Sequence, residues 1–178
     1  MIKLFISNLS KYTEGELLGE WITLPSTKKD IKDLFKRINL KDDEEYFIPD
    51  YECDIKGLVD EYSSIYELNE QAKLLENLSQ DEKDLACSIM EYWGCKTINE
   101  ALSLDIIMMK LKYNDLDLYK NIGHTFVEKF GINTGDEFTS RYFDYDAIGK
   151  DVDIIFTVDE KRGIAYAESI SVDDFLNK

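Results

Sequence analysis

The side chains in this chain that could carry chemistry are mostly carboxylates: 37 Asp and Glu stand against 21 Lys and Arg, with one His and three Cys. Nucleophilic catalysis needs a nucleophile, a base beside it and a group orienting that base. His124 lies in a stretch of helical spacing, and no motif joins it to a serine or cysteine, so it reads as structural. Asp144 and Asp146 have the right type for acid–base work, but such pairs arise by chance in so acidic a chain. Asp50, Glu52, Asp54 and Glu61 fit positions 1, 3, 5 and 12 of a calcium-loop frame. Ile55, however, stands where the sharp turn requires glycine, and the preceding residues are strand-like. Asp144, Asp146 and Gly149 sketch a second frame, with Ile148 and Ile155 at ligand positions. Cys87 and Cys95 lack the second Cys or His pair that zinc needs, and buried apolar roles suit them better. Gly15 and Gly19 precede a strand, where a phosphate loop would precede a helix. The expectation is no catalytic residue, no metal and no cofactor.

The distribution of charge says more. Residues 1–41 hold 5 acidic and 8 basic side chains, whereas residues 42–70 hold 11 acidic side chains and one basic, Lys56. A second excess, 8 acidic against 2 basic, covers residues 133–160. A formal net charge of −16 repels phosphates, excludes direct nucleic-acid binding and favours a basic partner. Bunched like charges also oppose folding through self-repulsion, so the two clusters invite a functional explanation. The candidate contact acids are Asp42, Asp43, Glu44, Glu45, Asp50, Glu52, Asp54, Asp60, Glu61, Glu67 and Glu70, then Asp136, Glu137, Asp144, Asp146, Asp151 and Asp153.

These acids need a scaffold, and the apolar pattern provides one. Eleven Tyr, nine Phe and two Trp argue for a folded chain. Residues 2–9 and 16–24 read as a hairpin, and from Thr27 a helix turns Ile31, Leu34, Phe35 and Ile38 to one face. A third strand near 46–51 contains Pro49, which confines it to an edge. Helices follow at about 64–78 and from Ser79, whose spacing to Glu82 is that of a capping box, to a stop at Gly94. Thr97 and Glu100 repeat the start signal for a helix to about Met109, and another runs over about 115–130 to Gly131. The last third reads as a short helix near 142–148 and strands over 152–158 and 163–170. Trp21, Leu68, Leu75, Ile89 and Trp93 have core spacing. The fold class is α+β, in three small domains: 1–62 (α/β), 63–112 (helical) and 113–178 (α/β). The opening apolar run is too short for a signal-peptide core, no later run has membrane-spanning length, and sparse cysteines suit the cytoplasm.

Motifs in order along the chain carry a resemblance. Asn8, Leu9, Tyr12, Gly15, Leu17, Gly19 and Trp21 match an Asn-Leu-x-x-Tyr-x-x-Gly turn followed by a Gly-x-Trp strand. Glu44–Glu52 (EEYFIPDYE), Glu61–Leu75 (EYSSIYELNEQAKLL) and Tyr145–Asp153 (YDAIGKDVD) follow. This set resembles the ArdA antirestriction family. The resemblance implies an elongated three-domain protein of mobile-element origin that mimics bent B-form DNA. It implies occupation of the DNA-binding groove in the methyltransferase core of a Type I restriction-modification enzyme. It also implies a homodimer joined through the C-terminal domain, for which the strands over 152–158 and 163–170 offer Ile154, Ile155, Phe156, Ile164, Ala165 and Tyr166. Beside it stand an acidic protein–protein adaptor with another basic partner and a calcium-binding module. The tail after Ser169 reads as an extension.

Overall fold

The computed structural model describes residues 1–41, 44–113, 115–136 and 140–177. Backbone contacts divide the chain into two compact units, Met1–Leu102 and Ser103–Lys178.

In the first unit, β1 (Ile2–Asn8) lies between β2 (Gly19–Leu24) and β3 (Tyr46–Cys53), antiparallel to both. A short helix, α1 (Leu9–Thr13), sits in the first connection, with the Asn8 side chain accepting from the Lys11 amide at its start. Side chains alternate across a strand: Ile2, Leu4 and Ile6 of β1 and Ile22 and Leu24 of β2 are buried, which defines the inner face. Helix α2 (Lys28–Arg37) packs against β2 and buries Ile31 and Leu34. Thr27 and Asp30 form a reciprocal capping box at its start, satisfying amides the helix leaves unpaired. Pro49 has the edge position expected of it, because β3 is an edge strand paired with β1.

Three helices complete this unit. Ser64 caps α3 (Ile65–Asn77), and the Ser79–Glu82 capping box starts α4 (Gln80–Trp93), which Gly94 ends at φ +78. That left-handed conformation favours glycine. Buried Asn69 on α3 ties the helix to the loop after β2: its Oδ1 accepts from Ser26 N at 2.7 Å and its Nδ2 donates to Ser26 O at 3.0 Å. Helix α5 (Ile98–Ser103) buries Ile98 and Ala101.

The second unit holds a three-stranded antiparallel sheet in the order β4 (Ile106–Lys110), β6 (Ile164–Glu168), β5 (Thr157–Asp159). Its core gathers Met109, Ile122, Phe126, Val152, Phe156, Ala165 and Val172 from helices and strands alike. Helices α6 (Leu118–Phe130) and α7 (Tyr145–Asp153) cross closely at Gly123 and Gly149. Gly131 ends α6 at φ +62.

Several expectations are corrected. The helix foreseen to Met109 ends at Ser103, because the apolar run IIMMK pairs as β4 with β6, register Ile106↔Glu168 to Lys110↔Ile164. The strand foreseen over 152–158 is helix to Asp153, and only Thr157–Asp159 pairs. The segment after Ser169 is a helix, α8 (Ser169–Leu176), whose Val172 is fully buried in the core. Leu68 and Ile89 are buried, Leu75 and Trp93 half-buried, but Trp21 is 38% exposed: its neighbours Ile22 and Leu24 face inward, so alternation turns it out. Among the foreseen dimer contacts, Phe156, Ile164, Ala165 and Tyr166 are buried in the chain's own core, whereas Ile154 is 82% exposed.

Candidate partner-binding surface

Among the described acids of the first excess, Asp50 and Glu52 lie on β3, Glu67 and Glu70 on the first turns of α3, and Glu44, Glu45, Asp54, Asp60 and Glu61 in the loops that flank β3. Asp50 and Glu52 are two residues apart on β3, therefore on one face and about 6.6 Å apart along the strand. Both are exposed, as are Glu45, Asp54, Asp60, Glu61, Glu67 and Glu70. Glu67 and Glu70, three residues apart on α3, share one side of that helix. An extended β3 carries Asp50 and Glu52 in a row and does not wrap them around an ion. Among the described residues no group of three or more His, Cys, Asp or Glu converges as a metal site.

The acids differ in what already engages them. Glu52 Oε1 receives Lys3 Nζ at 3.0 Å, and Glu70 Oε1 receives Lys73 Nζ at 2.7 Å. Asp60 Oδ1 accepts from the Tyr62 amide at 3.2 Å, closing a turn. Glu44 is built into its loop: its Oε2 accepts from the Lys41 amide at 3.2 Å and from Asn8 Nδ2 at 3.1 Å. These bonds, the Lys41 amide's first, hold its carboxyl below the usual carboxylate range. The charge of Glu61 pushes the Tyr62 phenol up. Glu45, Asp54, Glu61 and Glu67 have no ion pair among the described residues.

In the second excess, Asp144 caps α7, accepting from the Ala147 amide at 3.0 Å, and Asp146 Oδ2 pairs with Lys150 Nζ at 2.6 Å. Asp136 and Asp151 are exposed and Asp153 is half-buried. Asp42, Asp43 and Glu137 lie outside the described residues. Exposed pairs such as Lys73–Glu70 contribute about 0–1 kcal/mol, so the lysines can leave when a stronger cation arrives.

Groups weighed for other chemistry have structural surroundings. His124 stacks on Tyr145 with ring centroids 3.5 Å apart and touches Tyr113 at 5.2 Å, and burial pulls its pKa below the ordinary value against the charge of Glu128. The three cysteines are half-buried and form no disulfide, and burial pushes the thiols of Cys53 and Cys95 up.

One feature escaped the sequence reading. The outer face of the first sheet is open, and Trp21, Phe5 and Asp50 stand in one cross-strand row, with Thr23, Lys3 and Glu52 in the next. Phe5 and Trp21 rings meet at 5.5 Å. Gly19 makes room for this: a Cβ there would sit 2.7 Å from the Phe5 ring. The Gly-x-Trp spacing of residues 19–21 was the available signal.

Taken together, these are features of a small acidic α+β protein that displays carboxylates on β3, α3 and the loops beside them. The chain matches the family model of the antirestriction protein ArdA over residues 4–163 and belongs to that family. No curated protein sequence matches it.

Proposed function

We propose that this antirestriction protein is a non-catalytic mimic of B-form DNA that occupies the DNA-binding groove of a Type I restriction-modification enzyme. The observation that carries this reading is the run of exposed carboxylates between Glu45 and Glu70, with Asp50 and Glu52 on β3, Glu67 and Glu70 on α3 and the others in the adjoining loops, in a protein whose family is antirestriction. B-DNA presents one negative charge per about 1.7 Å of axis and binds proteins largely by exchanging counterions for Lys and Arg. Carboxylates held on strand and helix offer Lys and Arg fixed anionic partners without a nucleic acid's cleavable bonds. No group transfer, cofactor or metal enters this mechanism, and inhibition follows from occupancy alone.

On the same reading the chain works in the cytoplasm of a cell that carries the mobile element, as three functional segments (1–62, 63–112 and 113–178) in an elongated homodimer. The C-terminal unit supplies the dimer contact, with exposed Ile154 and Ile170 as its apolar candidates. The test is protection: DNA carrying a Type I site is cleaved by the purified enzyme with increasing amounts of the chain. Cleavage should fall to background as the chain saturates the enzyme, without change to the chain or the DNA. Undiminished cleavage across a panel of such enzymes would reject the proposal.

A further inference from the structure

We propose that the open face of the N-terminal sheet is a cation-stacking anchor, in which Trp21, backed by Phe5, receives an arginine side chain of a basic protein partner whose charge Asp50 and Glu52 balance. The inference rests on the reading above that the partner is a basic, nucleic-acid-binding protein surface, and it adds a discrete hot spot to a distributed charge contact.

The structure already contains the interaction in miniature. Lys3 Nζ lies 4.7 Å from the Trp21 ring centroid while bonding Glu52 Oε1 at 3.0 Å. An ammonium is thus held between an aromatic face and a carboxylate, the arrangement that attracts cations to tryptophan. Cross-strand pairing builds the place: Phe5 faces Trp21 on one side and Asp50 on the other, and Lys3 faces Glu52. Gly19 lets the Phe5 ring settle over the sheet, which supports Trp21 from beside.

Lysine is a weak tenant here. Its ammonium favours hydration, and the Glu52 carboxylate that holds it is exposed, so the pair is a weak one. A guanidinium stacks flat on an aromatic face and pairs bidentately with a carboxylate, so an incoming arginine gains contacts that Lys3 lacks. Charge complementarity selects the occupant: the rows end in Asp50 and Glu52, with exposed Asp54 just beyond the strand. Tryptophan and arginine are also the residues that most often dominate protein interfaces.

The experiment measures competition with DNA for a purified Type I enzyme by full-length variants whose folding is confirmed by circular dichroism. Trp21→Ala should weaken competition roughly tenfold, and Trp21→Phe should recover part of the loss. Lys3→Met, which evicts the resident cation, should tighten binding more than Lys56→Met, which removes the same charge from an exposed position with no aromatic partner among the described residues. A folded Trp21→Ala chain that competes like wild type, or a Lys3→Met chain no tighter than Lys56→Met, overturns the anchor. Those outcomes leave the DNA-mimic reading standing. Failure of the wild-type chain to compete at all removes that reading, and the anchor with it.

Discussion

Gly149 of α7 lies against the backbone carbonyl of Tyr119 on α6 so closely that a Cβ would overlap the oxygen, and Gly123 of α6 meets the carbonyl of Tyr145 in the same way. The two helices therefore cross backbone to backbone. The close approach also brings the imidazole of His124 onto the Tyr145 ring. Overpacking a tight contact costs about 1–3 kcal/mol when side chains can yield, and here the obstruction is main chain. Gly149→Ala and Gly123→Ala should each destabilise the C-terminal unit by at least that much in urea unfolding. A midpoint within error of wild type for either variant would mean the helices separate freely.

Asp159 is fully buried at the end of β5, with Arg162 bonding its carboxylate through both the guanidinium and the backbone amide. Removing one partner of a buried pair leaves an uncompensated charge and costs about 3–5 kcal/mol. Arg162→Met should show a loss of that order by denaturant titration, and Asp159→Asn in the same chain should restore part of it. Equal stability of Arg162→Met and wild type would contradict the pairing.

Stability of the C-terminal unit should fall on mild acidification. Burial holds His124 below its ordinary value near 6.5, so the unfolded chain binds that proton more readily than the folded one. The contribution is complete above about pH 6.5 and is lost as pH drops through the lower folded value. Glu128 is held below its ordinary value first by the Tyr113 hydroxyl and then by Lys112, so it adds a separate loss nearer pH 4. His124→Gln should flatten the slope between pH 7 and 5 while sparing the acid limb. An unchanged slope in that variant would assign the acid sensitivity to other groups.

Much of the helical structure was readable because its signals are local. Thr27, Ser79, Gly94 and, in the second unit, Gly131 act within a helical turn of their own positions, and each start or stop lies where its chemistry placed it. The run IIMMK failed for the opposite reason: four apolar residues suit a helix or a strand equally, and pairing with β6, more than fifty residues away, decides it. Residues 152–156 misled similarly, since Val152 and Phe156 lie four apart and both are buried against α6 and β6 neighbours, a helical spacing that VDIIF disguises as a strand. The acids were legible as a charge excess but not as a surface. Their sequence does not reveal that Glu44 is tied into a loop by Asn8 while nearby Glu45 is exposed.

Replacing contact acids singly should do little, because an exposed charge contact is worth roughly 0.2–1 kcal/mol. Asp54→Asn, Glu61→Gln or Glu67→Gln alone should shift inhibition by less than about fivefold, and the three together should add, since separated sites without shared partners behave independently. Glu44→Gln should instead weaken the bonds that Glu44 accepts from the Lys41 amide and Asn8 Nδ2, and so lower stability. A folded single variant that abolishes inhibition while the triple variant retains it would indicate a discrete site in place of a distributed one.

If this chain and DNA contend for one groove, the affinity of a purified Type I enzyme for labelled DNA must fall with the chain present, measured over a salt series. Saturating chain should displace the DNA completely, with an apparent DNA affinity that declines in proportion to free chain. The chain's own affinity should weaken as salt rises, because the screening length shrinks from about 8 Å at physiological ionic strength to about 3 Å at 1 M. DNA that remains bound while the enzyme is saturated with the chain would contradict mimicry and place the antirestriction contact elsewhere on the enzyme.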